Sequence, residues 1–265
     1  MQIQQRPYLS DPKQLSHVSG FMAEILARRG VQSEQELDLK LKYLLAPSMK
    51  GLQQAIDLVN AAIDQKFKMV IVGDYDADGA TSTALMILAL REMGANVEYL
   101  VPDRFKYGYG LTPKIADLAF ERFQPDLLIT VDNGISSHTG VKQAQLHGMK
   151  VIITDHHLTT KETPDAEAVV NPNQLGCEFP SKALAGVGVA FYVLANLSTH
   201  RKKLGKSSTV ITNYLDLVAL GTYADVASLD YNNRILVDAG LKRIQQHLCR
   251  PGISALLEIA GRDAA

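Results

Sequence analysis

The sequence predicts an α/β protein, a mostly parallel sheet flanked by helices, with a small helical N-terminal cap over residues 1–50. Two observations predict the sheet. Short, uniformly apolar runs alternate with stretches of helical period, as strands covered on both faces require, and each of these runs empties into polar or acidic residues. A third observation predicts the cap, because before residue 51 the apolar residues recur at helical spacing.

Residues 1–10 are polar, contain a proline and read as irregular. Over 14–29, Leu15, Val18, Met22, Ile25 and Leu26 share a helical face, and Gly30 supplies the stop. Ser33 and Glu36 stand in capping-box register for a second helix, carried through Leu37, Leu41 and Leu44 to a break at Pro47. A third helix over 51–66 places Leu52, Ile56, Val59 and Ile63 on one side and leads into an apolar strand ending at Gly73. A helix follows at 81–93 and a strand at 97–101. The next helix, 113–123, has Thr112 as its cap and Pro113 at its first position. Residues 127–131 form a buried strand, 140–147 a helix and 151–154 a fourth strand.

Beyond residue 160 the pattern loosens. Residues 181–200 are mostly helical, interrupted early by Gly186-Val187-Gly188, which lacks the third glycine and the strand-then-helix context of a dinucleotide site. Close packing is its expected role. Residues 201–206 read as a solvated basic linker. A helix over 210–220 then delivers Gly221-Thr222-Tyr223-Ala224-Asp225, another helix spans 231–248, and a last helical turn precedes the C-terminus.

With 46% hydrophobic and 21% charged residues in 265, usage is that of an ordinary globular protein with a substantial core. The net charge of −1 excludes a binder of polyanions by bulk charge, so a nucleic acid would have to be held by a local patch or by metal ions. Cys177 and Cys249 are unpaired in spacing, which argues against a disulfide framework and a thiolate zinc site. No signal pattern opens the chain, and its longest strongly apolar run, 84–90, is far too short to span a bilayer. The expectation is a soluble cytoplasmic protein.

Chemistry concentrates where the strands end. Asp74, Asp76 and Asp78 alternate after the first strand, so in an extended or tightly turned segment three ionised carboxylates meet at one locus and ask for a cation. A calcium loop does not fit, because its twelfth position needs a bidentate Glu and here is Leu85. Taken alone, the stretch also suits an idle acidic turn. The third strand runs into Asp132-Asn133-Gly134, the fourth into Asp155-His156-His157, and Asp225 follows a later apolar run in the same way. In parallel sheets these ends share one edge, where ligands gather. The second strand runs into residues 102–110, where Arg104, Phe105, Lys106, Tyr107 and Tyr109 mix cations with aromatics. That composition suits paired phosphates and stacked bases, and equally a surface loop pinned by its aromatics. Five or six carboxylates with one or two imidazoles, and no thiolate, suit two Mn²⁺ or Mg²⁺ ions, and hence hydrolysis at phosphorus.

Asp155-His156-His157 after a strand, with Gly73-Asp74-Tyr75-Asp76-Ala77-Asp78-Gly79 upstream, resembles the DHH phosphoesterase family. The segments around Asp103-Arg104-Phe105, Asp132-Asn133-Gly134, Gly186-Val187-Gly188 and Gly221-Thr222-Tyr223-Ala224-Asp225 are similar to the family's bacterial single-strand exonucleases, from about residue 14 onward. The resemblance implies a single-stranded-DNA-specific 5′→3′ exonuclease that releases 5′-mononucleotides in recombination and repair. It implies Asp76, Asp78, Asp132, His156 and Asp225 as metal ligands, with Asp132 between the two ions and Asp74 as a further ligand or an acceptor behind them. His157 would face the scissile phosphate, unless it merely orients His156, while Arg104, Lys106, Tyr107 and Tyr109 would steady the strand. Single-stranded DNA is the implied partner, and single-strand-binding or other repair proteins are admitted beside it.

Family enzymes also carry a second domain with a Gly-Gly-His segment, and this branch adds an oligonucleotide-binding fold. The chain has no Gly-Gly pair. The expectation is therefore the catalytic domain alone, over 51–265, with half of the substrate cleft missing. Two rival readings stay open: a phosphoesterase of a short oligonucleotide, phosphoadenosine phosphate or cyclic dinucleotide, and a non-catalytic module that binds single strands or partners.

Overall fold

In the computed structural model, which describes residues 5–159 and 161–263, five strands form one sheet: β1 (Lys68–Gly73), β2 (Asn96–Leu100), β3 (Leu127–Val131), β4 (Lys150–Thr154) and β5 (Ala168–Val170). Their order is β2-β1-β3-β4-β5 and every pairing is parallel. The first residues of the expected irregular opening and the last two of the chain lie outside the described residues.

Period-2 alternation decides the two layers. Met69 and Ile71 of β1 point into one core, with Leu127, Ile129 and Val131 of β3. This layer holds α2 (Leu52–Asp64), α3 (Ala77–Glu92), α7 (Gly186–Lys203), α8 (Leu215–Ala224) and α9 (Tyr231–Gln245). Val70 and Val72 point the other way, onto α5 (Pro113–Phe123) and α6 (His138–Leu146). The chain leaves β1 for β2 through α3 and leaves β3 for β4, in the opposite direction, through α6. Crossovers of one hand require those helices to lie on opposite faces, as they do.

Register positions the chemistry. Gly73 pairs with Val131, and Val131 with Thr154, so β1, β3 and β4 end flush. Asp74, Asp132 and Asp155 are the next residues, leaving the sheet side by side where the strand order reverses.

Several elements differ from expectation. The first helix, α1, is Gly20–Arg28, not 14–29, with a separate 3₁₀ turn at Pro12–Gln14. The Ser33 hydroxyl makes no capping bond, because the Glu36 N–H goes to the Ser33 carbonyl at 3.1 Å, and the expected second helix is two 3₁₀ turns, Glu34–Leu37 and Leu41–Tyr43, with the Glu36 carboxylate accepting from the Gln32 N–H and Arg234. Residues 104–107 form a one-turn helix, α4 (Arg104–Tyr107), capped by Asp103, within what reads as a loop. The three-residue β5 escapes a periodicity reading. Arg201 is buried and bonded to Asn60 and Asp64, not solvated. The C-terminal turn is a helix, α10 (Pro251–Ile259). The cap rests on α9, where the Tyr231 hydroxyl donates to the carbonyls of Gln35 and Asp38, and Asn232 accepts from the Leu45 N–H.

Candidate active site

Asp76 caps α3, accepting the Gly79 N–H at 2.9 Å. The helix thus starts at Ala77, four residues earlier than its apolar pattern suggests, and carries Asp78 in its first turn. This corrects the picture of three aspartates alternating toward one point. Asp74 and Asp76 stay on the strand-end turn and gather with Asp132, whereas Asp78 is turned toward His156 and Asp225. Each trio offers one ligand atom per residue, all within 4.8 Å of one another, and Asp132, His156 and His157 form a third such group linking them.

The ends of other elements fix these side chains. Gly186 and Val187, at the start of α7, donate their N–H groups to the two Asp78 oxygens at 2.7 and 2.9 Å, a charge-assisted pair aligned with the helix dipole. The Gly186-Val187-Gly188 stretch therefore begins a helix where the sequence suggests an interruption. Its close packing is real: a Cβ on Gly186 would lie 2.7 Å from Asp132 Oδ1. Asp132 itself holds a left-handed backbone, φ +60°, which costs a non-glycine residue about 1–3 kcal/mol. Asn133 compensates by donating its side-chain amide to the carbonyls of Val72 and Val131 at 3.1 and 2.8 Å, tying the turn across β1 and β3.

Asp155, not singled out as a site residue by sequence, is the buried hub of the histidine pair. Its Oδ2 accepts the Ile135 N–H at 2.8 Å, and its Oδ1 accepts the N–H groups of His156 and His157 and lies 2.7 Å from His157 Nδ1. Burial pushes this carboxyl up, but those bonds win and hold it below its usual range. The Asp155 bond also raises the His157 imidazole. With Nδ1 engaged, His157 presents Nε2 to the Tyr109 hydroxyl, 3.1 Å away. Both of its nitrogens are thus engaged, while its ring lies 4.7 Å from that of His156 at a tilt of 54°. The His156 and His157 carbonyls are held by the amides of Asn173 and Asn171.

His156 Nε2 lies 3.1 Å from Asp132 Oδ1, 3.8 Å from Asp78 and 4.0 Å from Asp225. Burial, then repulsion from neighbouring carboxylates, pushes Asp132 up to about 8, and burial lifts Asp78 to about 6. Burial also raises Asp74 and Asp225. For His156 burial pulls downward, and the surrounding carboxylates more than reverse it, raising the ring to about 9. Asp132 Oδ1 is buried without an aligned hydrogen-bond donor, the nearby imidazole being out of line. An orphaned carboxylate oxygen amid crowded oxygen donors and one imidazole is an environment that hard or borderline divalent cations satisfy.

On the rim, the Arg104 guanidinium sits 4.1 Å over the Tyr75 ring and 5.5 Å from the Tyr109 ring, and also bonds the Tyr75 hydroxyl. Arg104 and Tyr109 thus belong to the site. Lys106 lies over the Tyr107 ring, and Tyr107 packs against the α5–α6 core. Tyr75 is a contributor the sequence did not mark, since only the folded turn brings it under Arg104.

The model of the DHH family N-terminal domain matches residues 68–222. Among curated proteins, the chain is 50% identical over 251 residues to the single-stranded-DNA-specific exonuclease RecJ of Escherichia coli K12, covering 92% of this chain and 43% of that one. It is 39% identical over 267 residues to the Bacillus subtilis 168 protein of the same name, covering 98% and 33%. Among solved structures, exonuclease RecJ bound to manganese superposes with a TM-score of 0.73 at 37% identity, over 83% of this chain and 55% of that one. RecJ in complex with Mn²⁺ from Thermus thermophilus gives 0.77 at 32% identity, over 97% and 37%. The chain spans less than half the length of these curated relatives.

Proposed function

Because the chain belongs to the DHH family, we propose that it is a metal-dependent phosphodiesterase acting as a 5′→3′ exonuclease on single-stranded DNA and releasing 5′-mononucleotides. The observation that carries this reading is the pair of ligand groups meeting at Asp132 and His156, in a chain half identical to a protein named for that activity. On this reading residues 51–265 are the catalytic domain and 1–50 a cap, of which Gln35, Asp38 and Leu45 bond α9.

Asp74, Asp76 and Asp132 would hold one divalent ion and Asp78, His156 and Asp225 a second, with Asp132 reaching toward both. Bound there, Mn²⁺ or Mg²⁺ ions supply an acidified water and positive charge for the phosphoryl oxygens. The chain's own groups do the rest. Asp155 fixes the proton on His157 Nδ1, which leaves Nε2 to exchange a hydrogen bond between Tyr109 and a phosphate or leaving oxygen. Arg104, held over the Tyr75 ring and near that of Tyr109, is preorganised to pair with a backbone phosphate. No helix among the described residues is long and apolar enough to cross a membrane.

The test is digestion of 5′-labelled single-stranded DNA in Mn²⁺, beside a duplex and a dinucleotide, with Asp132→Ala as control. Mononucleotide release from the single strand, abolished by the substitution, is expected. Cleavage of the dinucleotide alone would replace this reading with a small-substrate phosphoesterase.

A further inference from the structure

Immediately after Asp225 the chain turns at Val226, a β-branched residue at φ +56°, into one wall of a groove of about 1020 Å³ between the N-terminal cap and residues 226–234. Resting on the exonuclease reading, we infer that this groove carries the single strand beyond the site, gripped by Arg6, Arg28 and Arg29.

The argument is one of charge and continuity. The two carboxylates in the lining are already committed. Glu36 pairs with Arg234 at 2.8 Å, and Asp230 caps α9 while accepting the Ser181 hydroxyl at 2.7 Å. The three arginines have no ion pair with any carboxylate among the described residues. Arg28 donates to the Gln5 side chain and lies 3.9 Å over the ring of Tyr8. Arg6 and Arg29 are exposed. In a chain of net charge −1 such a local excess is a place for an anion. Apolar surface from Leu9, Leu26 and Leu229 lies among the cations. A strand with unpaired bases matches both features, with phosphates on the guanidiniums and bases against the apolar wall. Val226, in the groove's lining, directly follows Asp225 in the chain, which sets one end of the groove beside the carboxylate cluster.

Binding of a labelled oligothymidylate is followed by anisotropy across a salt series in chelator, so that no hydrolysis intervenes. Arg6→Gln/Arg29→Gln is compared with wild type and with Arg6→Lys/Arg29→Lys. Loss of two phosphate contacts should flatten the log affinity against log salt slope by roughly 1.4 and weaken binding, and the lysine pair should restore the slope. Hydrolysis of a dinucleotide in Mn²⁺, too short to reach the groove, should be unchanged. An unaltered slope in the glutamine pair overturns the inference. So does a labelled acidic peptide binding through these arginines while the oligonucleotide does not. If wild type binds the strand with the expected slope but hydrolyses nothing in Mn²⁺, the groove stands and the exonuclease reading falls.

Discussion

Replacing Gly186 with alanine tests whether α7 is built around the carboxylate cluster. The added Cβ would lie 2.7 Å from Asp132 Oδ1, 2.8 Å from its Cβ and 2.9 Å from its Cγ. Ordinary contact between such atoms is about 3.5–4.0 Å. Rotating the carboxylate cannot relieve a clash that includes Asp132 Cβ, so either this residue or the start of α7 must move by about 0.7–1.2 Å. If α7 moves, the two N–H donors to Asp78 move with it. Overpacking of this kind costs about 1–3 kcal/mol, or roughly 2–12 °C in Tm for a chain of this size. Activity should suffer far more, by about 100-fold for a misplacement near 1 Å. The assay pairs Mn²⁺-induced thermal stabilisation with mononucleotide release, and uses Gly188→Ala as reference. That substitution meets Leu184 Cδ1 at 2.5 Å, a core contact, and should lower Tm while keeping the Mn²⁺ response. A Gly186→Ala chain with the wild-type Mn²⁺ response and turnover would refute the reasoning.

Asp155→Asn removes the anionic acceptor of His157 Nδ1 and should cost about 1.5–3 kcal/mol with a large loss of turnover, Mn²⁺ affinity changing less, as a titration would check. Arg104→Ala should raise KM for single-stranded DNA more than it lowers kcat, because on the proposed reading this guanidinium, stacked over Tyr75, pairs with a backbone phosphate; steady-state kinetics decide this. The metal-free chain should lose stability as pH rises. Asp78 and Asp132, with folded values of about 6 and about 8, bind protons more tightly folded than unfolded, as does His156 at about 9. Each slope is negative between the unfolded and folded values, from about pH 4 to 6 for Asp78, about 4 to 8 for Asp132 and about 6.5 to 9 for His156, so together they cover about pH 4 to pH 9. Chelated protein melted across that range should show the fall and saturating Mn²⁺ should flatten it; a flat chelated profile would contradict the assignment.

The central strands β1, β3 and β4 were legible because strands buried on both faces read as apolar runs, and their flush ends put Asp74, Asp132 and Asp155 on one edge. What the sequence hid was long-range. Asp78 looks like the third member of an alternating row, yet Asp76 caps a helix early and turns it elsewhere. Gly186-Val187 reads as a flaw in a helix because the partner of its N–H groups is 108 residues away. The capping-box pattern at Ser33 misleads since the Glu36 N–H closes a 3₁₀ turn on the Ser33 carbonyl and its carboxylate is shared with Arg234, 198 residues away. Residues 102–110 divide, Arg104 stacking on Tyr75 and Tyr109 bonding His157 while Lys106 lies over Tyr107 and Tyr107 packs on the core, a distinction set by a single helical turn.

The most direct test of the central claim is the number of Mn²⁺ ions the chain holds, located by anomalous scattering from crystals grown with Mn²⁺. The account predicts two, one among Asp74, Asp76 and Asp132 and one among Asp78, His156 and Asp225, with loss of at least one in Asp132→Ala. Ions bound away from these residues, or a site unchanged by that substitution, would contradict it.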